Sequence, residues 1–121
     1  MINYSFYREE KNAPFILKID FQPKLAILSS YLFQVSDPYT YEWILEGIND
    51  VLSGKLNSVE RDTEWFGANI TYSETTFYTT LDEEDKSTNV ISTKDFKSIL
   101  ILWWREKESF EKWKQGQIPC R

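Results

Sequence analysis

The sequence predicts an α+β fold: a two-layer sandwich in which two main helices cover a largely antiparallel sheet of five to six strands. Three observations predict it. The segment 92–113 has the apolar spacing of a long helix, the segment 38–53 has that of a shorter one, and most other apolar segments alternate with the period of a strand. A chain of 121 residues has the length of one domain, so we treat 1–121 as a single unit.

The N-terminal third predicts a β-hairpin followed by an ambiguous segment. Residues 2–7 alternate between apolar and mixed side chains, and 15–21 place Phe15, Leu17, Ile19 and Phe21 on one face. The segment from Leu25 to Phe33 fits a strand through one set of apolar residues and a helix face through another. We favour a strand there, and the helix remains the alternative.

The first main helix has clear boundaries. Asp37 can accept a backbone N–H as the N-cap, Pro38 suits the first helical position, and Gly54 suits the C-terminal stop. Between them the apolar residues recur at helical spacing: Tyr41, Ile44, Leu45, Ile48, Val51 and Leu52.

A polar connection, 55–62, leads to a second predicted hairpin with strands at 64–72 and 75–81. Gly67 within it marks either a close backbone approach or bulge, or merely a weak point of the strand. The acidic loop, Asp82, Glu83, Glu84 and Asp85, follows, and 89–91 form a short strand.

The C-terminal helix extends from Ser92 to Trp113, with Ser92 or Thr93 as its cap. Its apolar stripe is wide, so we expect Trp103 and Trp104 in the core. At about 100° per residue the opposite side carries four polar residues that should face solvent: Arg105, Glu108, Ser109 and Lys112.

Composition excludes most catalytic and cofactor sites. The chain has no histidine and one cysteine, Cys120, which removes His-based catalysis, thiolate zinc sites and an intramolecular disulfide. Its four glycines form no phosphate-binding loop. We therefore predict no enzyme activity, no cofactor and no metal; a carboxylate pair or an oxygen-ligand metal site is the remaining possibility. The acidic loop lacks the spacing of a calcium-binding EF-hand loop.

The sequence predicts a cytoplasmic protein without a membrane segment. Its longest apolar run, 99–104, is far shorter than the roughly 20 residues of a membrane-spanning helix, and we find no secretion signal. The role of Cys120 stays open.

Acidity is concentrated in the middle of the chain. Residues 37–85 contain twelve acidic residues against Lys55 and Arg61, a net charge of −10, whereas 86–121 carry +4 and 1–36 carry +1. In the first helix Glu42, Glu46 and Asp50, here called the acidic stripe, follow one another at four-residue spacing opposite the apolar face.

Trp43 borders the acidic stripe, outside the set of residues that should be buried. An exposed tryptophan beside three carboxylates is typical of a binding hot spot for a basic partner. The alternative is an ordinary solvated face with Trp43 packed against a loop.

The acidic loop also has two interpretations. If it belongs to a binding surface, it adds negative potential to the side that faces the partner and disfavours nucleic acid as a ligand. The alternative is a solvent-exposed turn without a binding role. Trp65 fits either a core or a surface position.

Four features of the segment 37–113 together suggest a known family: the helix ending Ile48-Asn49-Asp50-Val51-Leu52-Ser53-Gly54, the segment Glu64-Trp65-Phe66-Gly67-Ala68-Asn69, the acidic loop, and Trp103-Trp104-Arg105-Glu106-Lys107. In this pattern the segment resembles small immunity proteins of bacterial polymorphic toxin systems, including those of contact-dependent growth inhibition. The resemblance implies a non-catalytic cytoplasmic protein that binds the C-terminal toxin domain of an effector, and many such toxins are nucleases with basic clefts.

We therefore expect a toxin-neutralising protein, monomeric when free, that covers the active site or an essential exosite of its partner. The partner-binding candidates are Glu42, Trp43, Glu46 and Asp50, with Asp82, Glu83, Glu84 and Asp85 as electrostatic support. A non-catalytic adaptor subunit of a larger assembly is one alternative, and a hydrolase with a carboxylate pair is another.

Overall fold

The computed structural model describes residues 2–117 and has an α+β fold with six strands and three helices in that range. The strands are β1 (Asn3–Glu9), β2 (Ile16–Gln22), β3 (Ser58–Glu60), β4 (Phe66–Thr71), β5 (Glu74–Thr79) and β6 (Thr88–Ser92). The helices are α1 (Ala26–Phe33), α2 (Pro38–Leu52) and α3 (Thr93–Gly116).

The strands form two antiparallel sheets. β1 and β2 make a two-stranded sheet, and the other sheet has the order β3-β4-β5-β6. Ala68 pairs with Phe77, and Thr75 pairs with Ile91, so buried residues of neighbouring strands share one face. The three helices pack against this larger sheet, while β2 packs against α1 and α3. This arrangement is the helix-on-sheet layering that the sequence predicts.

The core lies between the helices and the larger sheet. Tyr31, Phe77 and Phe96 are fully buried, and their rings meet edge to face with centroids 4.9–6.0 Å apart. Trp103 is also fully buried, and its indole Nε1–H donates to the carbonyl of Val35 at 3.0 Å. The prediction that Trp103 belongs to the core is confirmed; Trp104 is half-buried and stacks on Tyr41, with ring centroids 5.0 Å apart.

The preference for a strand at Leu25–Phe33 is wrong, because Ala26–Phe33 form helix α1. Leu25, at its N-cap, has no side-chain oxygen to cap it. The Asn89 Oδ1 of β6 instead accepts from the N–H groups of Ile27 at 2.9 Å and Leu28 at 3.0 Å. Those two groups belong to the first turn, which has no partners within its own helix. A residue 62 positions further along the chain therefore supplies the cap.

Two further expectations need correction. The single predicted sheet is divided in two, because β2 turns away into α1 and does not pair with the later strands. The segment 55–62, predicted as a polar connection, contains β3, whose register aligns Val59 with Ile70. Its three residues are too few to show alternation in the sequence.

Both predicted helix starts are confirmed. Asp37 accepts from Thr40 N–H at 2.9 Å, and Ser92 accepts from Asp95 N–H at 3.0 Å. Gly54, just after α2, has φ +84°, a left-handed conformation that favours glycine. The four polar residues predicted on the solvent side of α3 are exposed: Arg105, Glu108, Ser109 and Lys112. Cys120 lies outside the described residues.

Within residues 2–117 none of the helices combines the length and the apolar character that a membrane span requires.

Replacing Asn89 by Ala should lower the free energy of unfolding by about 1 kcal/mol, the usual effect of losing an N-cap side chain. Two N–H groups of α1 lose their acceptor in this variant. Urea denaturation monitored by circular dichroism measures the change. Asn69→Ala, at an exposed position on β4, is the matched control and should be near neutral. Equal losses in the two variants would contradict a capping role for Asn89.

Candidate functional site

Helix α2 presents the acidic stripe on the side opposite its buried residues. Ile44, Ile48 and Val51 are at most 1 % exposed and pack into the core. Glu42 and Glu46 are exposed, as predicted. Asp50 is only partly exposed, and its carboxylate lies 4.0 Å from the Lys55 ammonium. The stripe therefore displays two open carboxylates and a third that a lysine partly offsets.

An exposed aromatic pair, Tyr39 and Trp43, lies along the same side of α2. The side chain of Trp43 is 43 % exposed, so its predicted place outside the buried set is confirmed. Tyr39, one turn earlier, is 86 % exposed, and sequence reasoning missed it. Its four-residue spacing from Trp43 was the available signal, because residues so spaced are neighbours on a helix surface. The two rings lie beside Glu42 and Glu46 on one helical face.

Arg61 fixes the position of Trp43. Its Nε–H donates to the Trp43 carbonyl at 3.0 Å, and its guanidinium carbon lies 4.7 Å from the centroid of the indole ring. This is the range of a cation–π contact. Gly47 makes the approach possible, because a Cβ at that position would lie 2.8 Å from Arg61 Nε. Arg61 thus covers part of one side of the indole.

The backbone of Arg61 is anchored to the core. Its N–H donates to the carbonyl of Ala68 at 2.9 Å, and its carbonyl accepts from the hydroxyl of buried Tyr31 at 2.7 Å. No pattern in the sequence indicates this role, because Arg61 lies outside α2 and is recognisable only as one of two basic residues in the acidic segment 37–85. The surface of α2 is therefore not purely acidic, because the Arg61 guanidinium borders the acidic stripe at Trp43.

Next to Arg61, the side chains of Asp62 and Tyr78 cover Gly67. The Tyr78 hydroxyl donates to Asp62 Oδ1 at 3.3 Å. A Cβ at Gly67 would overlap the Tyr78 ring and would lie 2.7 Å from Asp62 Oδ1. The close-approach interpretation of Gly67 is therefore confirmed. Burial, followed by the nearby carboxylates of Asp62 and Glu60, raises the pKa of Tyr78 to about 12.

The acidic loop lies apart from α2 in the fold. It joins β5 to β6, whereas α2 packs against β3 and β4 on the other half of the sheet. All four of its acidic residues are exposed. Asp82 and Asp85 accept from the backbone N–H groups of Glu84 and Ser87 at 3.0 and 2.9 Å. Hydrogen bonds within its own turn therefore order the acidic loop, and the loop does not form one continuous surface with the acidic stripe.

The loop also borders an open depression of about 510 Å³, where Asp82, Glu83 and Asp85 lie near Lys86. The hydrogen bond from Ser87 lowers the pKa of Asp85, which keeps this carboxyl ionised. A general acid needs the opposite shift. Across residues 2–117 no group of three or more His, Cys, Asp or Glu side chains has a metal-binding arrangement.

A double-mutant cycle between Arg61→Ala and Trp43→Ala should give a coupling energy of about 0.5–1 kcal/mol, the size of an exposed cation–π contact. The hydrogen bond from Arg61 to the carbonyl of residue 43 is present with either side chain, so the cycle isolates the contact with the ring. Urea unfolding of the four proteins measures it. Additive losses would show that Arg61 does not hold the indole.

Stability should fall as the pH rises from about 10 to about 12. The pKa of Tyr78 is higher in the folded protein than the usual value near 10, so the unfolded chain releases this proton first. The contribution of the protonated Tyr78 hydroxyl to the free energy of unfolding is therefore complete below about pH 10 and is lost as the pH rises to about 12. Asp62→Asn should move the pKa of Tyr78 back towards 10, as measured by NMR titration of ¹³C-labelled tyrosine. An unchanged pKa would show that Asp62 does not contribute to the shift, which burial and Glu60 would then explain.

We compared the chain with protein-family models, with curated proteins and with solved structures, and none of the three comparisons found a match.

Proposed function

We propose that this protein binds and neutralises a cognate bacterial toxin domain through the exposed side of α2. One observation carries the proposal: Trp43 is exposed at the edge of the acidic stripe, beside Glu42 and Glu46, while Arg61 holds its ring in place. The protein acts by covering the toxin, in the cytoplasm and without catalysis of its own.

The aromatic pair supports a protein partner. Tyrosine and tryptophan are enriched among the residues that dominate binding energy, because each buries a large area at a small cost in side-chain entropy. Arg61 reduces that cost further at Trp43, since part of the ordering is already present in the free protein. Tyr39 at 86 % exposure has most of its surface still available for burial.

The carboxylates support a basic partner. Glu42 and Glu46 are exposed on one face, and the chain as a whole has a net charge of −5. Such a surface attracts a positive cleft and repels nucleic acid, so it fits over the substrate-binding region of a nuclease. The resemblance to immunity proteins points to the same class of partner. The acidic loop, on the other half of the sheet, contributes long-range attraction only.

The test uses the toxin domain encoded by the adjacent reading frame, which should specify a large secreted effector with a variable C-terminal region. The two purified proteins should form a stable complex, and co-expression should restore growth to cells that produce the toxin domain. If the two proteins do not associate, the proposed function is wrong. A permanent complex with a non-toxic neighbour would instead identify an adaptor subunit.

Within that complex, Glu42→Lys combined with Glu46→Lys should slow association about tenfold at low salt and weaken its salt dependence. Tyr39→Ala and Trp43→Ala should each speed dissociation, with about 2 kcal/mol of lost affinity corresponding to roughly 30-fold. Surface plasmon resonance separates the two rates.

The matched control is Asp82→Lys combined with Glu84→Lys, which makes the same charge change in the acidic loop. It should alter association far less than the α2 variant. Normal binding by every α2 variant, or a loss confined to the loop variant, would overturn the assignment of this surface.

A further inference from the structure

A groove of about 710 Å³ runs along α1 at the place where the two sheets meet. One of its sides is β2, from the two-stranded sheet. Trp65, just before β4, and Phe66, the first residue of β4, also line it. None of its lining residues belongs to α2. We call it the β2 groove, and the proposed binding surface on α2 does not account for it.

The edge of β2 that lines this groove is free within residues 2–117. β2 pairs with β1 on one side, and the described sheet contains no other strand. Five consecutive residues, 18–22, line the groove, as expected where the backbone of a strand forms the wall. Alternate N–H and C=O groups along such an edge point outward and can pair with an added strand.

Helix α1 leaves room for a backbone beside that edge. The residues it contributes to the groove include Ala26, Ser29 and Ser30, whose side chains are small. Phe33 ends this face and is 47 % exposed. Small residues beside a free strand edge allow a second chain to approach closely, while the phenyl ring offers an apolar contact to its side chains.

A hydrogen-bonded link holds Trp65 at the same end of the groove. The Gln34 Oε1, just after α1, accepts from the Trp65 backbone N–H at 3.1 Å and from the Thr63 hydroxyl at 2.5 Å. The indole of Trp65 is nevertheless 47 % exposed. Phe33 and Trp65 therefore form an ordered apolar end that remains open to a ligand.

The ionisable residues that line the groove have a net positive charge, whereas the acidic stripe is negative. Lys18 and Lys24 line it together with one acidic residue, Asp20, in a chain of net charge −5. The Lys18 ammonium lies 5.9 Å from the centroid of the Phe33 ring, so the positive charge borders the apolar end. This combination favours an apolar ligand that also carries a carboxylate.

We propose that the β2 groove binds an extended peptide, which adds to β2 as a third strand, directs alternate apolar side chains towards Phe33 and Trp65, and places an acidic side chain beside Lys18. The volume of the groove suits a short segment better than a folded domain. Backbone pairing supplies affinity in this mode, and the pockets for alternate side chains supply selectivity.

The test uses three fluorescein-labelled peptides of seven residues. The reference peptide alternates threonine with valine or phenylalanine and has one glutamate in place of a valine on its apolar face, because Lys18 lies beside Phe33. The second peptide has lysine in place of the glutamate. The third has proline in place of a central valine, which removes one N–H and so weakens backbone pairing. Fluorescence anisotropy should show at least fivefold tighter binding of the glutamate peptide than of either other peptide. Amide NMR shifts should concentrate in β2 and α1.

Two variants connect the binding to the groove. Lys18→Glu should reverse the preference between the glutamate and lysine peptides, whereas Lys11→Glu, the same change in the turn between β1 and β2, should leave it unchanged. Ala26→Phe should block all three peptides by filling the groove. Both Lys18 and Ala26 have exposed side chains, so folding should survive these changes, and circular dichroism verifies it.

Several results would overturn the proposal. Equal binding of the glutamate and proline peptides would exclude pairing with the backbone of β2, and equal binding of the glutamate and lysine peptides would exclude a contact with Lys18. Failure of all three to bind would exclude strand addition altogether. A dimer in analytical ultracentrifugation that the glutamate peptide fails to dissociate would make a second copy of the chain the occupant. None of these results bears on α2, whose variants with the toxin domain test the proposed function separately.

Discussion

The hydrogen bond between the hydroxyl of Tyr31 and the carbonyl of Arg61 connects the core to the proposed binding surface. Tyr31 is fully buried against Phe77 and Phe96, and this burial raises the pKa of its phenol. A buried hydroxyl without a partner costs about 1–3 kcal/mol, so the carbonyl of Arg61 must stay at 2.7 Å. That constraint fixes the backbone from which the guanidinium reaches Trp43, and the order of the surface thus depends on the core.

The two candidate surfaces have different chemistry because different elements build them. On α2 a helix displays carboxylates and aromatic rings around one guanidinium, a surface suited to a folded basic partner. In the β2 groove a strand edge that has no partner among residues 2–117 lies beside small residues and two lysines, a shape suited to an extended chain. The division of the strands into two sheets creates the second surface, since a continuous sheet would have paired the edge of β2.

Sequence reasoning succeeded where the deciding contacts are local. The starts of α2 and α3 depend on Asp37 and Ser92, each of which caps an N–H three residues later, and the register of α2 follows its own periodicity. It failed for α1, whose apolar residues fit two periods and whose cap is Asn89 on another element. Arg61 was missed for the same reason, because its partners are Trp43 on α2 and Ala68 on β4.

The sequence by itself determined the α+β class, the two long helices, the burial of Trp103 and the acidic stripe beside Trp43. Each of these follows from spacing along one segment, where neighbours in space are three or four residues apart. Only the tertiary structure decided the helix at Ala26–Phe33, the anchoring of Trp43 by Arg61, the separation of the acidic loop from α2, and the edge of β2 that no strand in the described part of the chain covers. These features depend on contacts between segments distant in sequence, and no local periodicity records which distant residues will meet.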